Sequence, residues 1–75
     1  PAIEELLDQD EESWRSMIRG TALKRTKVKG LLRNLLVVVG NSGQQYLRSR
    51  VTRFLTHEDE AVRDAAAWAL KRLSY

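Results

Sequence analysis

The chain has 75 residues, 13 Lys or Arg against 10 Asp or Glu, a formal net charge of +3 and no cysteine. That length allows one small domain, and the missing thiols exclude disulfides, thiolate metal sites and iron–sulfur ligation by these residues. No apolar run approaches a membrane span, and Pro1-Ala2-Ile3-Glu4-Glu5 lacks the basic-then-apolar order of a signal peptide, so a soluble, cytoplasmic protein is expected.

Helical periodicity runs through nearly the whole sequence. Ile3, Leu6 and Leu7 make a short apolar stripe, and Trp14, Met17 and Ile18 repeat the i, i+3, i+4 spacing after Asp10, an expected N-cap, with Gly20 as the stop. Val28, Leu31, Leu32, Leu35, Leu36 and Val39 then follow the spacing of a buried helix that starts near Lys27, which a strand's alternation does not produce. Gly40-Asn41-Ser42-Gly43 ends it, with a Gly or Asn for a left-handed terminal residue and a capping-box pattern from Ser42 to Gln45. So short a linker predicts that the next helix is its antiparallel neighbour. That third long helix is lined by Leu47, Val51, Phe54 and Leu55. Thr56 with Asp59 opens a fourth, whose inner stripe is Val62, Ala66, Ala69, Leu70 and Leu73. One core is expected, built on Leu32, Leu35, Leu36, Val51, Phe54, Val62, Ala66 and Leu70, with Trp14 and Trp68 packed inside.

The fold expected is all-α. The alanine-rich run Ala65-Ala66-Ala67-Trp68-Ala69-Leu70 and the Gly-containing corners suit stacked helical-hairpin repeats. From Asp59 to Leu73 the sequence resembles the inner helix of a HEAT-like repeat, which makes residues 44–73 one full unit and residues 10–40 a less regular preceding one, together a piece of an α-solenoid. A start at Pro1 without Met and an end just after an amphipathic helix suggest a single domain, 1–75, cut from the C-terminal part of a longer protein.

Charge is distributed very unevenly. From Arg19 to Arg53 there is no acid but nine basic residues, and all ten acids lie outside that interval. Self-repulsion opposes compaction, whereas neutralising phosphates and releasing their counterions favours it, so the middle reads as a nucleic-acid footprint. Lys29 and Arg33, four apart, disfavour an isolated helix unless an anion lies between them. Lys24, Arg25 and Lys27 sit near that helix's N-terminus, where free N–H groups and the helix dipole also favour an anion. Tyr46 shares a stripe with Arg50 and Arg53, a pattern in which the ring stacks an unpaired base while the guanidiniums hold phosphates. Asn34 is the remaining candidate, for a base edge or sugar.

Other features carry less. Gly40-Asn41-Ser42-Gly43 matches the GXXG loop of KH domains, but the strands of that fold are missing. His57 stands alone without a second His or any Cys, and the acids near the N-terminus read as a solvated, dipole-compatible face. No nucleophile–base pair, phosphate loop or metal-ligand spacing is present, so no catalytic and no metal-binding residue is expected in this chain.

The order of motifs carries a more specific resemblance. Arg19-Gly20-Thr21-Ala22-Leu23-Lys24-Arg25, Gly30-Leu31-Leu32-Arg33-Asn34, Gly40-Asn41 and the Ala-Ala-Trp-Ala-Leu helix together resemble the C-terminal HEAT-like region of epoxyqueuosine reductase, over nearly the whole chain. Val38-Val39 stands where that family leads one to expect Ala-Leu. The resemblance implies a non-catalytic part that helps hold tRNA, through its anticodon stem-loop, during the last step of queuosine synthesis. It also implies an upstream catalytic domain that uses cobalamin and [4Fe–4S] clusters, with no cofactor held by this chain. Two alternatives use the same fold: a protein-interaction adaptor that docks an acidic partner, and a repeat-based DNA-binding module. Charge alone does not separate RNA from DNA, because the phosphate term is common to both.

Overall fold

The computed structural model describes residues 3–18 and 24–74, and the side chains of 3–18 and 27–74. The described elements are all helical: α1 (Ile3–Leu7), α2 (Glu11–Met17), α3 (Lys24–Ser42), α4 (Arg48–Val51) and α5 (Glu60–Leu73), with 3-10 turns at Gln45–Leu47 and Thr52–Thr56 on either side of α4. The expected stop at Gly20 lies outside the described residues. The long helix starts at Lys24 rather than near Lys27, so Lys24 and Arg25 belong to its first turn.

Two aspartates start helices in the same way. Asp10 accepts the Ser13 N–H at 2.8 Å ahead of α2, as expected, and Asp59 accepts the Val62 N–H at 3.1 Å ahead of α5. Asp59, not Thr56, is therefore the cap of α5. The capping box expected from Ser42 to Gln45 does not form. The Ser42 hydroxyl instead donates to the Val39 carbonyl and accepts the Gln44 N–H, and Gly43 makes the left-handed corner at φ +72°.

The third long helix expected, the one lined by Leu47, Val51, Phe54 and Leu55, is broken into three short pieces, for a visible reason. The Thr52 hydroxyl donates to the Ser49 carbonyl and the Thr56 hydroxyl to that of Arg53, each three residues back. Hydroxyls bonded backward in this way compete with the α-helical ladder and favour 3-10 geometry. This return segment still buries Leu47, Val51 and Phe54, but it packs chiefly on α5 and also on α1. The expected antiparallel pairing with α3 is thus replaced by a different partnership.

That arrangement leaves α3 and α5 side by side. Lys29 meets Asp59, and Gly40 meets Ala69 eleven residues further along, so the two helices run parallel at an offset of 29 to 30 residues. They form one layer, and α1, α2 and the return segment form the other. Between the layers lie Leu7, Trp14, Val28, Leu32, Leu35, Leu36, Val39, Leu47, Val51, Phe54, Val62, Ala66, Ala69 and Leu73. Seven of the eight expected core residues are in this set; Leu70 packs only at its margin. Trp68 is 39% exposed and is not a core residue, which corrects the sequence reading. Met17 and Leu55 likewise face solvent.

The short α1 is too brief to be stable alone and is held by side chains from elsewhere. Trp14 donates its indole N–H to the Leu6 carbonyl at 2.9 Å. One Arg53 nitrogen donates to the Leu7 and Gln9 carbonyls at 2.7 and 2.9 Å. These bonds satisfy carbonyls that the end of a helix otherwise leaves open.

The two glycines inside α3 separate packing from propensity. An added Cβ at Gly40 comes within 2.5 Å of the Trp68 ring and 3.1 Å of the Ala69 Cα, whereas at Gly30 it meets nothing within 4 Å. Gly30→Ala is expected to stabilise by roughly 0.5–1 kcal/mol through helix propensity alone. Gly40→Ala is expected to destabilise, because its Cβ drives α5 away. Urea midpoints that shift in the same direction for both variants count against close α3–α5 packing.

Candidate nucleic-acid interface

Lys27, Lys29, Gly30, Leu31, Arg33 and Asn34 of α3, Asp59 and Ala61 at the start of α5, and Ile18 just after α2 line a shallow groove of about 640 Å³. The register of α3 explains this grouping. With Val28, Leu32, Leu35, Leu36 and Val39 turned into the core, the polar positions between them fall on the opposite and flanking faces. Gly30 has no side chain, so the middle of the groove is bare helix backbone.

The cations there are not equivalent. Lys29 lies 3.4 Å from the Asp59 carboxylate, with both side chains partly exposed, so this ion pair is worth at most about 1 kcal/mol. Among the described residues, Lys27 and Arg33 have no ion pair or hydrogen bond and are exposed to solvent. Asn34 is exposed beside them. The side-chain positions of Lys24 and Arg25 lie outside the described set; both belong to the first turn of α3, which contains no acid of its own.

The second group separates from the first. Arg50 pairs with Asp8 at 3.1 Å. Arg53 holds the end of α1 and lies over the Trp14 and Phe54 rings, 5.3 and 5.0 Å from their centroids. Both guanidiniums therefore tie the return segment to the N-terminal helices, and neither lines the groove. Tyr46 is 54% exposed at the first 3-10 turn. The chain thus gathers Lys27, Lys29, Arg33 and Asn34 in one place and leaves Tyr46, Arg50 and Arg53 elsewhere.

Asp59 joins this site without being among the residues expected there, since Lys29 has no acid near it in sequence. The parallel packing of α3 on α5 at an offset of about thirty residues brings position 59 beside position 29. Asp59 also has an altered proton affinity. Burial at the groove pushes its carboxyl up, but the Val62 N–H, the Lys29 ammonium and the nearby His57 together hold it below its ordinary value. Asp10 is lowered too, first by the Ser13 N–H and then by the Ser13 hydroxyl. His57 uses its Nδ1 to accept the Asp59 N–H at 3.0 Å. Among the described residues, no group of three His, Asp or Glu side chains is placed to hold a metal ion.

No family model matches the chain, and no curated protein or solved structure matches it either.

The lowered carboxyls fix the sign of a pH effect. A folded-state value below the unfolded one gives stability that is complete above the unfolded value, near pH 4, and is lost as pH falls through the folded value. The urea midpoint is therefore expected to hold from about pH 7 to 5 and to drop in more acid solution. Asp10→Asn with Asp59→Asn keeps both cap acceptors but cannot titrate, so its acid loss should be shallower. A parallel fall in parent and double variant would place the acid sensitivity elsewhere.

Proposed function

We propose that this chain is a tRNA-binding helical module, the HEAT-like C-terminal part of a cytoplasmic epoxyqueuosine reductase, contributing phosphate contacts and orientation but no catalytic group. The observation that carries the reading is the set of α3 cations along the groove, in a stretch of 35 residues without an acid. Lys27 and Arg33 keep their donors free, and a polyanion relieves the like-charge repulsion between Lys29 and Arg33. The motif order from Arg19 to Leu70 supports the family. The parallel offset of α3 and α5, with a return segment between them, supports two successive helical-hairpin units, since stacked repeats place equivalent helices side by side.

The cobalamin and iron–sulfur clusters of that family do not fit the residues present here. The chain has no cysteine, and its described carboxylates and single imidazole form no ligand cluster. Such groups would belong to an upstream domain, with this part presenting the RNA to it.

Charge release gives a direct test. Lys27→Ala with Arg33→Ala is expected to leave helix content unchanged and to weaken binding to an anticodon stem-loop. The log–log salt slope should flatten by roughly 0.7 to 0.9 for each phosphate that is no longer neutralised. Glu4→Gln with Glu11→Gln, on the distant acidic helices, should leave that slope as it was. Wild-type affinity of the Lys27/Arg33 variant across a salt series would remove this groove as the RNA site. Capture of an acidic protein by a chain that binds no RNA would replace the proposal with the adaptor.

A further inference from the structure

Trp68, like Tyr46, is an aromatic residue that neither the core nor the groove absorbs, but unlike Tyr46 it stands on the α3–α5 seam. It is 39% exposed, which is costly for an indole with no role at the surface. It is also held in place. Its Cζ3 and Cε3 atoms lie against the bare Cα of Gly40, so close that a methyl there would overlap them. The Arg72 guanidinium lies over the ring at 5.3 Å from the centroid. Fixed at its Gly40 edge and overlain by Arg72, the residue keeps 39% of its surface in water, and a base that stacks on the overlain face displaces the guanidinium.

Its position connects it to the groove. On α3, Arg33 and Gly40 are seven residues apart, two turns along one ridge, so the Trp68 ring meets α3 about 10 Å along the axis from the Arg33 position. On α5, Ala61 and Trp68 are also seven residues apart and share a stripe. Arg33 and Ala61, at the edge of the groove, therefore stand on the same α3–α5 seam as the indole, which itself lies outside the groove lining. Val37, 44% exposed, lies on the α3 ridge between them. Acids beside the seam include Asp59, which pairs with Lys29, its sequence neighbours Glu58 and Glu60, and Asp64, one turn before Trp68 on α5.

We infer that Trp68 is the stacking platform for one unpaired nucleobase, whose neighbouring phosphates lie on Arg33 and Lys27. This rests on the RNA-binding reading and deepens it by naming the substrate class, a single-stranded loop rather than a duplex. Cations at one end of the seam and an aromatic face at the other match the two faces of a nucleotide, phosphate and base. A paired base is closed off on both sides by its neighbours, so only an extruded one reaches the ring. Arg72 beside the indole offers a further donor to the flanking backbone.

The test uses the 75-residue chain with two RNAs of equal phosphate number, an anticodon-type stem-loop and a blunt duplex. Trp14 is 2% exposed, so a change in indole emission on binding reports Trp68. The stem-loop should quench that emission and the duplex should not. Trp68→Leu should weaken stem-loop binding by roughly 5- to 150-fold, the range for one stacked base, with the salt slope and the duplex affinity unchanged. Trp68→Phe, which keeps a ring, should retain most of the affinity. Equal quenching by both RNAs overturns the inference, as does wild-type stem-loop affinity in Trp68→Leu. Equal weakening for both RNAs would mean that Trp68 acts through packing on Gly40, and overturns it too. If RNA binds with the expected salt slope while the emission stays silent, the platform falls and the RNA-binding reading stands. If neither RNA binds, both fall.

Discussion

The close parallel packing of α3 against α5 is the constraint on which the rest of this structure depends. It exists because position 40 carries no side chain, which lets the Trp68 ring and the Ala69 backbone sit where a Cβ would otherwise be. Ala66 and Ala69 contribute to the same closeness from the other helix, being small and fully buried. With the two axes drawn together at that end, the offset is fixed along their whole length. Lys29 then has Asp59 beside it, and Arg33 and Ala61 face each other across one groove. The return segment must span the distance from the end of α3 to the start of α5, which run in the same direction. A chain of short 3-10 and α-helical pieces does this while still burying Leu47, Val51 and Phe54.

The basic residues divide by what the fold requires of them. Arg53 is a structural cation: it gives hydrogen bonds to two carbonyls near the end of α1 and lies over two aromatic rings whose centroids are 5.8 Å apart. Charge-assisted bonds to backbone carbonyls are stronger than neutral ones, and a five-residue helix has few other means of attachment. Arg63 acts similarly at the other corner, donating to the His57 and Glu58 carbonyls just before α5. Arg50 reaches Asp8 within the same layer and ties α4 to the end of α1. A positive stretch in sequence is therefore not one patch in space. Part of it fastens the N-terminal helices, and among the described residues its α3 cations Lys27 and Arg33 and Arg48 of α4 stay exposed.

Helix class and most of the core were legible because they follow from periodicity. The stripe from Val28 to Val39 has a single reading, and each of its members other than the marginal Leu31 is buried. What escaped was set by tertiary geometry. Trp68 stands in an apolar run that predicts burial, yet the buried arc of α5 is filled by Val62, Ala66, Ala69 and Leu73, which leaves the indole at the seam with Gly40. The break in the expected third long helix depended on hydroxyls of Thr52 and Thr56 turning back on their own chain, a competition that periodicity does not weigh. At the groove, the α3 cations could be named from charge alone. The separation of Arg50 and Arg53 from them could not, because their partners Asp8, Leu7 and Gln9 lie more than forty residues away in sequence.

Departures from local preference in this chain collect along one seam. Gly30 sits inside a long helix with nothing beside it to require a glycine, at a cost of about 1 kcal/mol relative to Ala. Lys24, Arg25 and Lys27 occupy the end of α3 where the dipole disfavours cations, and Lys29 and Arg33 are like charges one turn apart. Trp68 leaves much of an indole in water. Elsewhere the choices are consistent: aspartate caps α2 and α5, acids begin α1, α2 and α5, and Lys71 and Arg72 end α5. Sequences keep local conflicts mainly where something outside the folded chain resolves them. A phosphate near the first turns of α3 reverses the dipole penalty and the Lys29–Arg33 repulsion together, a bare Gly30 lets a ligand backbone approach the helix closely, and a base on the indole shields it from water. Under the RNA-binding proposal one single-stranded segment would answer these conflicts together, whereas the acidic protein partner of the adaptor alternative would answer the charges and leave the glycine and the tryptophan without a reason.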